Sequence, residues 1–119
     1  MNPPTQAVLM RIYTDEDALI GDRTLVETLV ERARSAHLAG ATVLKGRAGF
    51  GQTSRLHSHR PFDLRDNLPV VIEIVDEQAK LRAFLGTLDD LADIGLVTFE
   101  KVEVLRYGGH HLAPPGAQP

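Results

Sequence analysis

Hydrophobic and polar positions alternate from Ala7 to Tyr13, with Val8, Met10 and Ile12 on one parity and Leu9, Arg11 and Tyr13 on the other, which predicts a strand. After the polar stretch Thr14 to Asp22 the period lengthens. Val26, Leu29, Val30 and Ala33 recur at helical spacing with Glu27 and Glu31 on the outer side, so a helix is expected over Arg23–Leu38. Asp22 or Thr24 is its expected cap, and Gly40 its expected stop, because glycine accepts the left-handed backbone that ends helices. Ala41–Lys45 and Pro69–Val75 then read as strands. Asp76 is placed to cap a second helix, which carries Leu81, Phe84, Leu85, Leu88 and Leu91 and stops at Gly95. Leu96–Tyr107 reads as a fourth strand. Val97 and Phe99 have one parity there and Val102 and Val104 the other, which predicts a bulge near Lys101.

This order predicts an α+β fold, a ferredoxin-like βαββαβ sandwich with an antiparallel sheet and two helices on one face. The other face would carry Leu9, Arg11, Tyr13, Val71, Glu73 and Val75, which is too apolar for water, so a further copy of the chain is expected to cover it. A carboxylate among valines needs a cation or donor, and Arg11 is the partner expected for Glu73; both are predicted to lie at the oligomer interface. The domain is expected to span residues 7–107, between a flexible N-terminus (1–6) and a flexible tail (108–119) rich in Gly, Pro and Ala.

Charge and composition narrow the function. Lys and Arg number 13 against 16 Asp and Glu, a formal charge of −3, so the whole chain has no attraction for nucleic acid. Cysteine is absent, which excludes disulfides, thiolate nucleophiles and cysteine-based zinc sites. Residues 1–6 lack a basic region followed by an apolar stretch, and no run approaches the roughly 20 apolar residues of a spanning helix, so a cytoplasmic protein is expected. GxSxG, HExxH and a complete P-loop are absent, and Ser54 with His57 has no identifiable orienting acid. No enzymatic activity is expected. Asp15-Glu16-Asp17 and Asp89-Asp90 read as solvated charge without chemistry. His57, His59, His110 and His111 carry the alternative of metal binding, but their spacing builds no preorganised set of ligands, and no metal site is predicted.

Between the second and third strands lies Gly46–Leu68, far beyond the usual connection of about 4–6 residues. It holds Arg47, Arg55, Arg60 and Arg65 with His57 and His59, a basic concentration in an acidic chain that favours an anionic ligand or acidic partner. Gly49 and Gly51 flank Phe50. Such glycines either turn the chain, with Phe50 packed on the sheet, or let main-chain N–H groups approach a phosphate.

Gly49-Phe50-Gly51 before a long loop, and Ile72-Glu73-Ile74-Val75 after it, resemble PII-type signalling proteins, whose corresponding loop is the T-loop. RIY (from Arg11), LAGATVLKGRAGFG (from Leu38), SRLH (from Ser54), LPVVIEIVD (from Leu68) and GLVTFEKVEVLRY (from Gly95) resemble the PII-like family called domain of unknown function 190. The resemblance implies a homotrimer with small effectors, typically the adenine nucleotides ADP, AMP or ATP, in clefts between subunits. It makes Gly49, Phe50, Gly51 and Gln52 the loop base beside the ligand, with Arg47, Arg55 and His57 as contacts for a phosphate or a partner. It implies a T-loop (about residues 47–67) that signals to a protein target such as a membrane channel or transporter. CutA-like metal-binding trimers and small ferredoxin-like enzymes share this architecture and stand as the alternatives. Gln52-Thr53 replaces the Arg-Gln pair of typical PII proteins, Ile94-Gly95-Leu96-Val97 replaces their phosphate loop, and the tyrosines Tyr13 and Tyr107 lie outside the loop. Neither the typical mode of ATP binding nor uridylylation is therefore implied.

Overall fold

The computed structural model describes residues 6–48, 68–92, 94–108 and 110–111. A four-stranded antiparallel sheet is built from β1 (Gln6–Asp15), β4 (Thr42–Lys45), β5 (Pro69–Asp76) and β6 (Leu96–Glu103), in the spatial order β4-β5-β1-β6. With α1 (Leu25–Ser35) after β1 and α2 (Gln78–Gly86) after β5, this is the ferredoxin-like βαββαβ arrangement. Two short strands, β2 (Leu19–Ile20) and β3 (Arg23–Thr24), form a hairpin in the polar stretch before α1, and β7 (Arg106–Tyr107) pairs with β8 (His110–His111) after the sheet.

The parity of β1 decides where the core sits. Val8, Met10 and Ile12 are buried with Val70, Ile72 and Ile74 of β5 against Leu25, Leu29 and Ala33 of α1 and Leu81 and Phe84 of α2. Arg82 lays its guanidinium over the Phe99 ring, 5.0 Å from the centroid, holding α2 to β6. Arg32 on α1 grips the Asp90 carboxylate with two bonds of 2.8 Å and also donates to the Thr87 carbonyl, tying α1 to the turns after α2.

Several local details differ from the sequence reading. The first helix begins at Leu25 because Arg23 and Thr24 are used in β3, and Thr24 Oγ1 caps it by accepting from Glu27 N at 3.1 Å. It ends before Gly40: His37 takes the left-handed conformation (φ 58°), with Leu38 N donating to Ala33 O and His37 N to Arg34 O. That is a Schellman ending with histidine in the glycine position. Asp76 is not a helix cap; Glu77 holds that position, without a side-chain bond. The second helix stops at Gly86, and Leu88 and Leu91 reach the core from successive tight turns, each N–H bonded three residues back. No bulge occurs at Lys101, since β6 pairs with β1 in unbroken register from Gln6↔Glu103 to Tyr13↔Leu96 and then ends. The expected domain limits also shift, because Gln6 belongs to β1 and residues 110–111 form β8; the rest of the two end segments, 1–5, 109 and 112–119, lies outside the described residues.

Asp76, fully buried, accepts from Glu77 N (2.7 Å) and from Ala39 N (2.9 Å). One carboxylate thus joins the end of β5, the start of α2 and the connection from α1 to β4.

Candidate functional site

At one end of the sheet the last residues of β1 and β4 meet the first of β5, and this is where the long loop departs and returns. Gly46 N donates to Pro69 O at 2.7 Å, closing the loop's two ends on each other. The approach needs glycine: a Cβ on Gly46 would lie 2.6 Å from Pro69 Cγ. Glu16, immediately after β1, adds a second closure. Its N–H donates to Leu68 O (2.9 Å), its Oε1 accepts from Leu68 N (3.3 Å), and its Oε2 meets Lys45 Nζ at 2.7 Å. The Lys45 ammonium and the Leu68 N–H hold the Glu16 carboxyl below its ordinary range. Gly95 N donates to Tyr13 O (3.0 Å), bringing the segment before β6 to the same end. The acidic run expected to be plain solvated charge therefore has structural work: Asp15 is buried and Glu16 ties both ends of the loop. Asp90 likewise answers Arg32, which lowers the pKa of its carboxyl.

Of the ligand-contact residues expected from sequence, Arg47 stands exposed at this loop root, next to Gly46 and close in sequence to Lys45. Gly49, Phe50, Gly51, Gln52, Arg55 and His57 lie outside the described residues. Lys45 and Glu16 escaped the sequence reading; Glu16 was legible only as part of an acidic run, and its partners become apparent once β1, β4 and β5 share an end.

The face of the sheet away from the helices carries Leu9, Arg11, Tyr13, Val71, Glu73 and Val75, as the alternation predicts, together with Leu44 (48% exposed) and Leu96 (54% exposed). Arg11 and Glu73 are directly cross-strand, and Nε–Oε2 is 2.9 Å; Glu100 meets the same guanidinium at 3.2 Å. The Glu73 carboxylate raises the Arg11 pKa further above its ordinary value. At the end of this face remote from the loop root, an open cleft of about 510 Å³ lies among Leu9, Thr42, Glu73, Val75, Arg106 and Tyr107, and Tyr107 donates to Ala39 O at 3.4 Å. Among the described residues no group of three or more His, Asp or Glu could hold a metal, and no helix is long and apolar enough to cross a membrane. His57 and His59 are outside the described residues.

A protein from Aquifex aeolicus (strain VF5) described as a UPF0166 protein is 42% identical over 97 residues, covering 82% of this chain and 91% of that protein. A second UPF0166 protein of the same organism is 36% identical over 97 residues, covering 82% and 95%. Among solved structures, CPII from Thiomonas intermedia K12, bound to ADP and bicarbonate, superposes with a TM-score of 0.62 at 16% identity over 85% of this chain and 90% of that one. A PII-like signalling protein from Thermus thermophilus gives 0.58 at 19% identity over 84% and 90%. The fold is thus that of PII-like proteins. The model of the family described as DUF190, uncharacterized ACR, matches residues 7–104, and the chain belongs to that family.

Proposed function

We propose that this protein is a PII-like regulator that binds an adenine nucleotide, or a similar small anionic effector, beside the root of its long loop and signals through that loop to a protein target. The observation that carries the reading is the loop root itself. Three strand ends hold the loop's two ends together on a rigid sheet, with Lys45 and Arg47 at its departure, so a ligand there can bias how the loop leaves the scaffold. CPII, whose fold this chain shares, was solved with ADP and AMP, which supports adenine nucleotides as the first ligands to test. Gly49, Phe50, Gly51, Gln52, Arg55 and His57 belong to the proposal as the continuation of the site into the loop.

The working unit is a homotrimer in the cytoplasm. The helix-free face is apolar, and its Arg11–Glu73 pair is half-buried even in a single chain, as suits a surface that a second copy covers. A membrane channel or transporter is the kind of target proposed, and the role is binding rather than catalysis.

Native mass spectrometry of the tag-free chain, titrated with ATP, ADP, AMP and cyclic adenine nucleotides, tests both parts at once. A trimer taking up to one nucleotide per subunit is expected. A trimer indifferent to all of them would overturn the effector, and a monomer at micromolar concentration would overturn the assembly.

A further inference from the structure

We infer that Lys45 Nζ and the Leu68 N–H form an oxyanion-binding point at the loop root, and that Glu16 occupies it as an internal anion which the phosphoryl group of a ligand displaces. The two donors come from opposite ends of the loop and converge on one carboxylate, one to each oxygen, at 2.7 and 3.3 Å. An ammonium and a main-chain N–H directed at a pair of oxygens are the groups with which proteins hold phosphate.

The donors do not depend on Glu16 for their position. Gly46 N to Pro69 O, at 2.7 Å, keeps the Lys45 end of the loop beside the Leu68 end whether or not the carboxylate is present. Nor does the backbone need the side chain, because Glu16 N is bonded to Leu68 O directly. Removing the carboxylate therefore leaves the binding point assembled. The carboxylate is also displaceable: the bond from Leu68 is at the long end of the hydrogen-bond range, and the Lys45 side chain is 59% exposed. A solvent-exposed Lys–Glu pair is weak by itself, so an incoming dianion competes with it on favourable terms. The lowered pKa of Glu16, due first to Lys45 and then to Leu68, agrees with a carboxylate that is ionised and held from both sides.

The inference rests on the effector reading above in one respect, that the displacing phosphoryl group belongs to the nucleotide. Free inorganic phosphate offers the same chemistry, and the experiment separates the two. Amide exchange at Leu68 is followed by NMR in the wild type, Glu16→Ala and Glu16→Gln, with titrations of inorganic phosphate, ADP and adenosine at constant ionic strength. Glu16→Ala should speed exchange of the Leu68 amide by roughly 3- to 10-fold, the factor one hydrogen bond is worth. It should tighten phosphate binding at least about 5-fold, and phosphate should restore the lost protection. Adding Lys45→Met should abolish that restoration. Glu16→Gln, which keeps an acceptor and the side-chain volume, should fall between the wild type and Glu16→Ala.

If ADP, but not adenosine, perturbs Lys45 and Leu68 in the wild type, the nucleotide is the source of the anion. If phosphate rescues Glu16→Ala while ADP binds no variant, the binding point stands and the effector reading falls. If ADP binds the wild type, yet Glu16→Ala alters neither Leu68 exchange nor phosphate affinity, the effector reading stands and this inference is overturned. Faster exchange in Glu16→Ala that phosphate does not restore also overturns it, because Glu16 is then only a structural tie.

Discussion

Replacing Asp76 by alanine is expected to be among the most damaging single changes in the domain, although the residue touches no proposed ligand. Its carboxylate is fully buried and accepts from two main-chain donors, Ala39 N and Glu77 N, which belong to different connections. Alanine leaves both donors without a partner, and a deserted buried donor costs about 1–3 kcal/mol, so the pair costs about 3 kcal/mol after partial relaxation. A domain of this size has a total stability of only about 5–15 kcal/mol. The chain has no tryptophan, so urea unfolding is best followed by far-UV circular dichroism, at one protein concentration because assembly contributes to apparent stability. With an m-value of about 1.5 kcal/mol/M the midpoint should fall by about 2 M. Asp76→Asn keeps the volume and one acceptor and should lose only about 1 M. A loss below about 0.5 M for alanine with unchanged m would refute the assignment of Asp76 as the joint between these connections.

Gly46→Ala places a methyl group against the Pro69 ring and should destabilise the domain by about 1–3 kcal/mol, read as a lowered Tm. His37→Gly removes a side chain from a left-handed backbone and should raise stability by about 0.5–1 kcal/mol, net of the extra freedom of glycine in the unfolded chain; a lower urea midpoint would contradict this. The carboxyls of Glu16, Glu31 and Asp90 are held below their ordinary values by Lys45, Arg23 and Arg32, so the unfolded chain binds protons first as pH falls. Their contribution should be intact above about pH 5 and lost progressively below about pH 4, seen as a Tm that drops on acidification; a flat profile would count against these pairs. Glu73→Ala should strip Arg11 of its cross-strand partner on the proposed covered face and weaken assembly at least about tenfold in sedimentation at low protein concentration.

The parts of the fold legible in the sequence are those in which one physical cause sets the pattern. In β1 the alternation of Val8, Met10 and Ile12 has one reading, because the sheet buries one face under helices, and the partnership of Arg11 with Glu73 followed from the opposite parity. The misplaced details arise where two causes give the same pattern. Leu85, Leu88 and Leu91 are spaced three apart, which suits a helix but equally suits consecutive tight turns, and the backbone takes the latter. The parity change in β6 mimics a bulge because both faces of the sheet are apolar: Val97 and Phe99 face the helices, whereas Val102 lies opposite Ala7 on the other face. Gly40 was the expected helix stop on steric grounds, yet the chain turns at His37, three residues earlier. There Leu38 can close the Schellman bond and pack on the core.

The candidate site was legible as a composition but not as a geometry. A basic, glycine-containing loop in an acidic chain points to anionic chemistry, and that much is local. The groups that organise its root are Glu16, Lys45 and Leu68, which lie far apart in sequence and meet only because β1 ends beside the end of β4 and the start of β5. Long-range pairing therefore turns an unremarkable acidic triplet into a joint between the sheet and the loop. The same topology places the cleft beside Arg106 and Tyr107 at the opposite end of the apolar face, away from the loop root. A ligand at the root can act on the loop through the ties of Glu16 and Gly46 alone, while the apolar face remains available for contact between copies. Effector response and assembly then rest on separate side chains, so Glu16→Ala should alter the loop root without changing the oligomer, and Glu73→Ala should do the reverse.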